Sequence, residues 1–295
     1  MRLAVLANAD SWYLHDLQRA AAAGGGHGIV PLVFSQMGCE LRDGELRVFC
    51  GEHDLKSFDA VLVRTMPPGS LEQVVFRMDA LGRYEAAGGV VINPPRAVEA
   101  AVDKFLTSAK LQAAGLRTPR TLVCQTTDDG LQAFEQLGGD VVVKPLFGSE
   151  GRGITRVSDP DLALRCFKML TQLGAVLYLQ EFIPHEGFDL RLLVIGDEVF
   201  GMRRRNPHDW RTNVSRGATT EKFEPDAALV ALAQQAAAAV GAPLAGVDLL
   251  PARDDSLYVI EVNAVPGWQA LARTHNIDIA ARVLNFVEAC VSTRP

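Results

Sequence analysis

Short apolar runs alternate with amphipathic stretches over the first third of the chain. Four of these runs have the length of buried strands and cover residues 3–7, 29–34, 60–63 and 90–92. Two stretches between them have a helical pattern, 13–23 and 70–87, and the second opens with the capping-box spacing Ser70-Leu71-Glu72-Gln73. This alternation predicts a small parallel sheet with helices on both of its faces.

Ligands of such a sheet bind at the carboxyl ends of its strands. The turn after the first strand, Ala7-Asn8-Ala9-Asp10-Ser11, lacks the GxGxxG pattern of dinucleotide-binding folds, which disfavours a dinucleotide site there. Arg64 follows the third strand directly, so it could contact a ligand at this edge. A single arginine after a strand is equally compatible with a surface charge, and we expect a surface charge here.

The middle of the chain contains a lysine in an apolar setting. Helices are predicted at 104–114, 129–137 and 160–173, and strands at 121–124, 141–144 and 176–182. Lys144 follows three valines, so its ammonium group should be at least half-buried and should need an anionic partner. The glycines at 148, 151 and 153 form a flexible loop whose backbone N–H groups can close on phosphates. No GK[ST] triplet follows them, which excludes a Walker A loop.

The last third of the chain predicts strands joined by tight turns. Gly196-Asp197 is a hairpin signal between the runs 190–195 and 198–202. A polar loop (206–220), an alanine-rich helix (226–240) and a closing helix (277–289) complete the pattern.

A second hairpin, formed by the apolar runs 245–250 and 257–263, carries three hard oxygen ligands. Glu261 and Asn263 share one face of their strand because side chains alternate, and the turn could bring Asp248 beside them. Such a set suits Mg²⁺ when nucleotide phosphates supply the other ligands. The alternative is a surface hairpin with two solvated acids. We favour the metal site, because an unpaired carboxylate inside an apolar strand is costly.

Composition limits the class of protein. The 295 residues are 48% hydrophobic and 22% charged, which allows a sizeable core, and the net charge of −6 argues against a general nucleic-acid surface. The first residues are too short for a signal peptide, and no apolar run reaches the ~20 residues that span a membrane. Five scattered cysteines without a CxxC pair indicate reduced thiols. We therefore expect a cytoplasmic protein without nucleic-acid or membrane partners.

Several motifs occur in one order between residues 100 and 275: DKF, VVVKPLFGSEGRGI, QEFIP, DLRLLVIGDEV, RR…WRTNVSRGA and AGVDLL…VIEVNAVPGW. Together they resemble the ATP-grasp superfamily and, within it, the RimK-type α-L-glutamate ligases. The resemblance implies an α/β (α+β) protein with an ATP-grasp fold and a preceding small Rossmann-like parallel-sheet domain. The implied bounds are 1–98 for that N-terminal domain, 99–185 for the central lid subdomain and 186–295 for the C-terminal subdomain with the metal site.

The resemblance also implies roles for single residues. The residues expected to bind ATP are Lys104, Lys144, Gly148, Ser149, Gly151, Gly153, Gln180, Glu181, Phe182, Ile183 and Asp189. Among them, the lysines would neutralise the phosphates, the glycine loop would cover them, and residues 180–183 would line the adenine. One or two Mg²⁺ or Mn²⁺ ions would be held by Asp248, Glu261 and Asn263. The residues expected to face the γ-phosphate and the carboxylate being activated are Arg204, Asn213 and Arg216.

The reaction implied by the resemblance is carboxylate–amine ligation. The γ-phosphoryl group of ATP would pass to a carboxylate, an amine would attack the acyl phosphate, and phosphate would leave. The substrates would be L-glutamate, or a similar amino acid, and a small-molecule or peptide acceptor; a homo-oligomer is compatible with this. Residues 64–79 look closer to ligases of pterin or cofactor acceptors than to ligases that modify ribosomal proteins. Gly217-Ala218 departs from the paired glycines common in RimK-type ligases, which leaves the acceptor open.

Two other functions remain open on the sequence alone. One is an amino-acid ligase acting on an amino-group carrier protein in lysine or arginine biosynthesis, although the N-terminal residues show no basic cluster for an acidic carrier. The other is a non-catalytic nucleotide-binding module, which would not need Asn263 or the pair Arg204 and Arg216.

Overall fold

The computed structural model describes residues 1–148 and 151–293. The strands are β1 (Arg2–Leu6), β2 (Gly28–Leu32), β3 (Met37–Arg42), β4 (Glu45–Cys50), β5 (His53–Asp54), β6 (Ala60–Val63), β7 (Val91–Ile92), β8 (Thr121–Cys124), β9 (Val141–Lys144), β10 (Thr155–Val157), β11 (Leu177–Glu181), β12 (Phe188–Ile195), β13 (Glu198–Arg205), β14 (Thr219–Phe223), β15 (Leu244–Pro251) and β16 (Leu257–Asn263).

The helices are α1 (Trp12–Gly24), α2 (Leu71–Ala86), α3 (Pro95–Val102), α4 (Lys104–Ala113), α5 (Thr127–Gln136), α6 (Pro160–Gln172), α7 (Ala227–Val240), α8 (Gln269–His275) and α9 (Ile279–Ser292). Within the described ranges, none of them is long and apolar enough to cross a membrane.

The predicted parallel sheet is present at the N-terminus. Its strand order is β2-β1-β6-β7, and each neighbouring pair is parallel. Helix α2 begins at the predicted capping box, in which Ser70 and Gln73 each bond the backbone N–H of the other. Strands β1 and β6 are buried almost throughout, which explains why their sequences are continuous apolar runs.

A smaller antiparallel sheet of β3, β4 and β5 was not predicted. Its first turn is Asp43-Gly44, where both residues have positive φ angles, 52° and 81°. That conformation is typical of two-residue hairpin turns, which favour an aspartate followed by glycine. The turn signal was therefore present in the sequence, but the polar and partly exposed strands beside it lack a strong apolar pattern.

The central residues form a four-stranded antiparallel sheet, the lid sheet, with the order β10-β9-β11-β8. It has its own hydrophobic core, in which Phe134 of α5 and Phe167 of α6 pack edge to face. Lys144 ends β9 and lies opposite Tyr178 of β11. The lid sheet thus carries Lys144 on a unit whose core is separate from the two larger cores.

The C-terminal residues form a five-stranded antiparallel sheet, the C-terminal sheet, with the order β14-β13-β12-β15-β16. The predicted hairpin is confirmed, and Asp248 of β15 lies directly opposite Glu261 of β16. Buried Asn93, just after β7, bonds the backbones of Leu244, where the hairpin begins, and Ala264, directly after it ends. Two hydrophobic cores also span the parallel sheet and the C-terminal sheet, so the hairpin is fixed against the N-terminal residues.

Candidate active site

A cleft of about 950 Å³, part of it open solvent, lies between the lid sheet and the C-terminal sheet. Its lining contains many of the residues singled out from the sequence: Lys104, Lys144, Gln180, Glu181, Phe182, Ile183, Asp189, Arg204, Asn213, Asp248 and Glu261. Among the described residues, Asn263, Arg216 and the loop glycines are not part of this lining. Ser149 lies outside the described residues. The fold therefore brings groups that are remote in sequence to one surface.

The ammonium group of Lys144 is the most unusual charge of the cleft. Its Nζ donates a hydrogen bond to Gln180 Oε1 at 2.6 Å, a neutral partner. The side chain keeps some exposed surface, but protein surrounds it closely, and burial lowers its pKa to about 8. Within the described residues, no carboxylate lies at ion-pair distance from it. A cation placed in this way needs an anion, as the sequence predicted.

The second lysine, Lys104, approaches from the start of helix α4. Its Nζ donates to the carbonyl oxygen of Gly148 at 2.7 Å, which joins it to the first glycine of the loop. Gly148, Gly151 and Gly153 have φ angles of 139°, 69° and 72°. Side chains rarely adopt these values, so glycine suits the path of the loop. The backbone conformation of these glycines thus brings the loop close to Lys104, beside the cleft.

Apolar side chains from both sheets complete the cleft, and the sequence did not point to them. Val142 and Ile154 contribute from the lid side, and Leu250 and Ile260 contribute from the hairpin. Two apolar walls can hold a flat ring between them, as ligand pockets commonly do. Their proximity in sequence to the two acids could have identified two of them, since Leu250 is two residues from Asp248 and Ile260 adjoins Glu261.

Glu181 was expected to read the edge of the adenine. It lines the cleft, but its Oε1 accepts a hydrogen bond from the backbone N–H of Arg120 at 2.8 Å. The neighbouring Phe182 ring packs against Trp210 edge to face and lies under the guanidinium of Arg156 at 3.4 Å. Contacts between these residues and adenine remain a prediction.

The acids of the hairpin can be tested against the needs of a magnesium ion. Within the described residues, no group of three His, Cys, Asp or Glu side chains could hold a metal ion. Mg²⁺ in nucleotide sites usually takes only one or two carboxylates and fills its shell with phosphates and water. The opposed pair Asp248 and Glu261 meets that need, with the oxygen of Asn263 two residues along the strand. That oxygen also accepts from the Val265 N–H at 2.8 Å. The donor set fits Mg²⁺, and ligation stays a prediction.

A network of buried charges lies beside the acidic pair. Arg204 donates two hydrogen bonds to Asp189, at 2.8 and 2.5 Å, and lies 3.0 Å from Asp248. Arg191 donates to the other oxygen of Asp248 at 2.6 Å. Burial alone would raise the pKa of Asp248, but the two guanidinium groups outweigh burial and hold that pKa below its ordinary value. Asp248 therefore remains ionised, with lone pairs to spare for a metal.

The loop of residues 206–217 closes one side of the cleft. Arg216 donates to the carbonyl oxygen of Gly151 at 3.2 Å, and a Cβ on Gly151 would lie 2.5 Å from Asn213 Oδ1. Thr212 donates to Asp189, which links the loop to the charge network. The sequence placed Asn213 and Arg216 at the reacting groups. The structure brings both beside the glycine loop, and their catalytic roles stay predictions.

The expectation for Arg64 was wrong. It is not a surface charge, since only 5% of it is exposed. Its Nη2 donates to the carbonyl oxygen of Pro266 at 2.7 Å, and its guanidinium packs 4.2 Å from the ring of Trp268. These contacts are made with residues some two hundred positions away, so no local pattern could predict them.

Known proteins similar in sequence place the chain in a family. The family described as RimK-like ATP-grasp domain matches residues 101–287. A tetrahydromethanopterin:alpha-L-glutamate ligase of Methanosarcina acetivorans is 31% identical over 267 residues, which cover 81% of this chain and 82% of that protein. A probable alpha-L-glutamate ligase of Legionella pneumophila is 28% identical over 294 residues, which cover 98% of this chain and 95% of that protein.

Solved structures agree on the fold. The ATP-grasp ligase PsnB, complexed with minimal precursor, Mg and ADP, superposes with a TM-score of 0.75 at 22% identity and covers 98% of both chains. A RimK domain ATP-grasp protein from Sphaerobacter thermophilus superposes with a TM-score of 0.73 at 24% identity, over 97% of this chain and 99% of that one. The predicted ATP-grasp fold with its preceding parallel sheet is confirmed.

The family match spans more than half of the chain, and the relatives are named ligases. The sequence resemblance and the expectation of an enzyme are thereby confirmed, and ATP-grasp ligases use ATP with magnesium. The chain belongs to the RimK-like ATP-grasp family of α-L-glutamate ligases and is an enzyme that forms a carbon–nitrogen bond.

Proposed function

We propose that this enzyme joins L-glutamate, through its amine, to a carboxylate acceptor, with an acyl phosphate as the intermediate and ADP and phosphate as products. The acceptor class that we favour is a small pterin-type cofactor. This choice is supported by the relative that is a tetrahydromethanopterin ligase, and by segment 64–79, which resembles ligases of that branch.

One observation carries the proposal: the ammonium of Lys144 faces an acidic hairpin and has no carboxylate at ion-pair distance among the described residues. Lys144 needs an anion, whereas Glu261 would repel one unless a cation intervenes. A nucleoside triphosphate with a divalent ion would supply both, because its phosphates pair with the ammonium of Lys144 and its metal ion pairs with the carboxylates of the hairpin. Apolar side chains on both sides of the cleft, such as Val142 and Ile260, would pack against the two faces of the purine ring.

In the first step, the residues of the cleft would position the triphosphate for attack by the acceptor. Lys144 and Lys104 would hold the phosphate oxygens, and the glycine loop would exclude water from them. Bound magnesium would neutralise the charge that develops on the transferring phosphoryl group. The acceptor carboxylate would take the γ-phosphoryl group and release ADP, so the protein supplies position and charge but no nucleophile.

In the second step, the amine nitrogen of L-glutamate would bond to the carbonyl carbon of the acyl phosphate. The carbon–oxygen bond to phosphate then breaks, and the amine gives up a proton to solvent. Arg216 and Asn213 lie on the loop that contacts Gly151, and from there they would stabilise the negative charge that develops on the phosphates. Arg204 would contribute to the same stabilisation from the C-terminal sheet, where its hydrogen bond to Asp189 fixes its orientation.

The test is ADP release by the purified protein with Mg-ATP, across single amino acids, with and without a small-molecule extract as the source of acceptor. We expect release that depends on L-glutamate and on the extract, and a product heavier by one glutamyl residue in mass spectrometry. Glu261→Gln should remove turnover because the site loses a metal ligand, while Asp254→Asn, in the exposed turn of the same hairpin, should keep it.

Two results would contradict this proposal. Near-normal turnover by Glu261→Gln would remove the metal assignment. Release that requires a peptide or a carrier protein, and not a small-molecule extract, would replace the pterin-type acceptor with a protein acceptor.

A further inference from the structure

Arg64 carries a guanidinium group that the protein leaves partly without partners. Of its three nitrogens, Nη2 donates to the carbonyl oxygen of Pro266, whereas Nε and Nη1 are buried and have no partner among the described residues. The rings of Tyr13 and Trp268 pack against it at 4.9 and 4.2 Å. Burial lowers the pKa of Arg64 to about 10. Unpaired buried donors of this kind are costly, and a charged group makes them more so.

The surroundings of Arg64 are fixed. The indole nitrogen of Trp268 donates to Asp16 at 2.9 Å, and Trp268 is fully buried. The hydroxyl of Tyr13 would lie 2.4 Å from a Cβ on Gly267, so glycine is required there for the two segments to meet. A cation held by two rings and one carbonyl oxygen keeps its direction before any ligand arrives.

The position of Arg64 connects it to the proposed reaction site. It follows β6 at the carboxyl edge of the parallel sheet, where ligands of such sheets bind. Its acceptor, Pro266, is three residues beyond Asn263, which limits their Cα separation to about 10 Å. Residues 64–70 have no regular secondary structure, and Pro68 and Gly69 are exposed, so the chain reaches the surface within four residues of Arg64.

We propose that Arg64 is a binding residue for a carboxylate of the amino-acid substrate, in a subsite formed with Tyr13 and Trp268. This inference rests on the proposed function. A carboxylate is the anion that best matches guanidinium N–H groups. The acceptor's reacting carboxylate loses its charge when it is activated. L-Glutamate reacts through its amine and keeps both carboxylates charged throughout, so it needs a permanent cation of this kind.

The test is a titration of L-glutamate into the protein saturated with Mg-ADP, by calorimetry, which does not require turnover. Arg64→Gln removes the charge, and Arg64→Lys keeps a charge but loses the planar donor group. We expect both variants to bind L-glutamate at least about ten-fold more weakly, which is about 1.4 kcal/mol, with Mg-ADP affinity unchanged. L-Glutamine, titrated in parallel, assigns the carboxylate: a loss with both amino acids indicates the α-carboxylate, and a loss with L-glutamate alone indicates the side chain.

Arg77→Gln is the matched control. Arg77 is also a buried arginine of the N-terminal residues, donates to the carbonyl oxygen of Pro67 at 3.0 Å and lies 5.8 Å from the Phe34 ring. It should lose stability without losing affinity for L-glutamate. An equal loss of affinity in Arg77→Gln would assign the effect to general damage and overturn the inference.

The two proposals fail in different ways. Wild-type affinity for L-glutamate in Arg64→Gln, or no amino-acid binding by the wild-type protein, would overturn the role of Arg64. If Arg64→Gln retains that affinity but loses turnover, the arginine serves the acceptor instead, and the inference also fails. Absence of ADP release with every amino acid and extract would contradict the proposed function alone.

Discussion

The two walls of the cleft treat charge in opposite ways. On the C-terminal sheet, the guanidinium groups of Arg191 and Arg204 are matched by the carboxylates of Asp189 and Asp248, at 2.5 to 3.0 Å. On the lid sheet, the ammonium of Lys144 has only the neutral Gln180 as its hydrogen-bond partner among the described residues. These four charges are paired within the protein, whereas the ammonium of Lys144 has no ion-pair partner among the described residues.

This difference separates two uses of buried charge. A satisfied cluster holds its members in place, because breaking one pair leaves a buried charge without a partner. An unsatisfied cation keeps its capacity to bind an anion, and the cost of its burial is recovered when the anion arrives. Mutation of the paired charges should therefore lower stability in addition to any effect on the reaction, whereas mutation of Lys144 should act through ligand affinity.

Asp248→Asn should give the largest effect on stability. The change leaves the Arg191 guanidinium without a carboxylate, so we expect a loss of about 3–5 kcal/mol in the free energy of unfolding, measured by urea titration. Asp197→Asn, at the exposed turn between β12 and β13, is the control and should leave the midpoint unchanged. Equal urea midpoints for the two variants would show that the ion pairs of Asp248 do not contribute to stability.

Gly246→Ala tests the same wall without removing a charge. A Cβ at residue 246 would lie 2.2 Å from Nη2 of Arg191, so the guanidinium must move away from Asp248. We expect a loss of about 1–3 kcal/mol in urea titration. Gly82→Ala is the control, since a Cβ there meets nothing within 4 Å, and alanine in helix α2 should stabilise by about 0.5–1 kcal/mol. A stabilising Gly246→Ala would contradict the close packing of Arg191.

Lys144→Met should have opposite effects on stability and on binding. Removing a desolvated charge should raise the unfolding free energy of the ligand-free protein by about 1 kcal/mol, while nucleotide binding should be lost. Thermal unfolding with and without Mg-ADP measures both effects. Lys104→Met is the control, because the bond from Lys104 Nζ to the Gly148 carbonyl oxygen is exposed, and the variant should weaken binding without stabilising the free protein. If Lys144→Met is less stable than the wild-type protein, the lysine makes stabilising contacts in the free protein, which contradicts this prediction.

The smallest expected effect is a dependence of nucleotide affinity on pH. Burial lowers the pKa of Lys144 from 10.5 to about 8, so below pH 8 the cost of its burial is present in full. Between these values the unfolded chain binds more protons, and the stability of the free protein rises with pH. Phosphates favour the charged ammonium, so Mg-ADP binding should take up protons and weaken by at most about ten-fold per pH unit above pH 8.

Calorimetry at pH 8.5 in two buffers of different ionisation enthalpy measures this proton uptake. In Lys144→Arg the guanidinium stays charged, so the uptake should disappear. Equal uptake by Lys144→Arg would assign the proton to another group.

Sequence patterns predicted what depends on neighbours along the chain. Burial of Lys144 followed from the valines before it, and the pairing of Asp248 with Glu261 followed from a short turn between two apolar runs. The sheet of β3, β4 and β5 was missed because its strands are polar and partly exposed. Arg64 was misjudged because its partners are supplied by tertiary contacts with Pro266 and Trp268. The charge pairs of Asp248 likewise depend on which strands become neighbours.

The contact between the 206–217 loop and Gly151 has a thermodynamic consequence. Arg216 bonds the carbonyl oxygen of Gly151 and Asn213 packs against the same glycine, so we expect the two segments to be held in place together. We expect a bound nucleotide to hold the glycine loop and, through these contacts, the 206–217 loop, so that less conformational entropy is lost when the proposed acceptor binds. By linkage, acceptor and nucleotide should then raise each other's affinity, and the proposed acyl phosphate should form only when both segments cover the site. The enzyme should therefore bind its substrates cooperatively, with the nucleotide as the preferred first ligand.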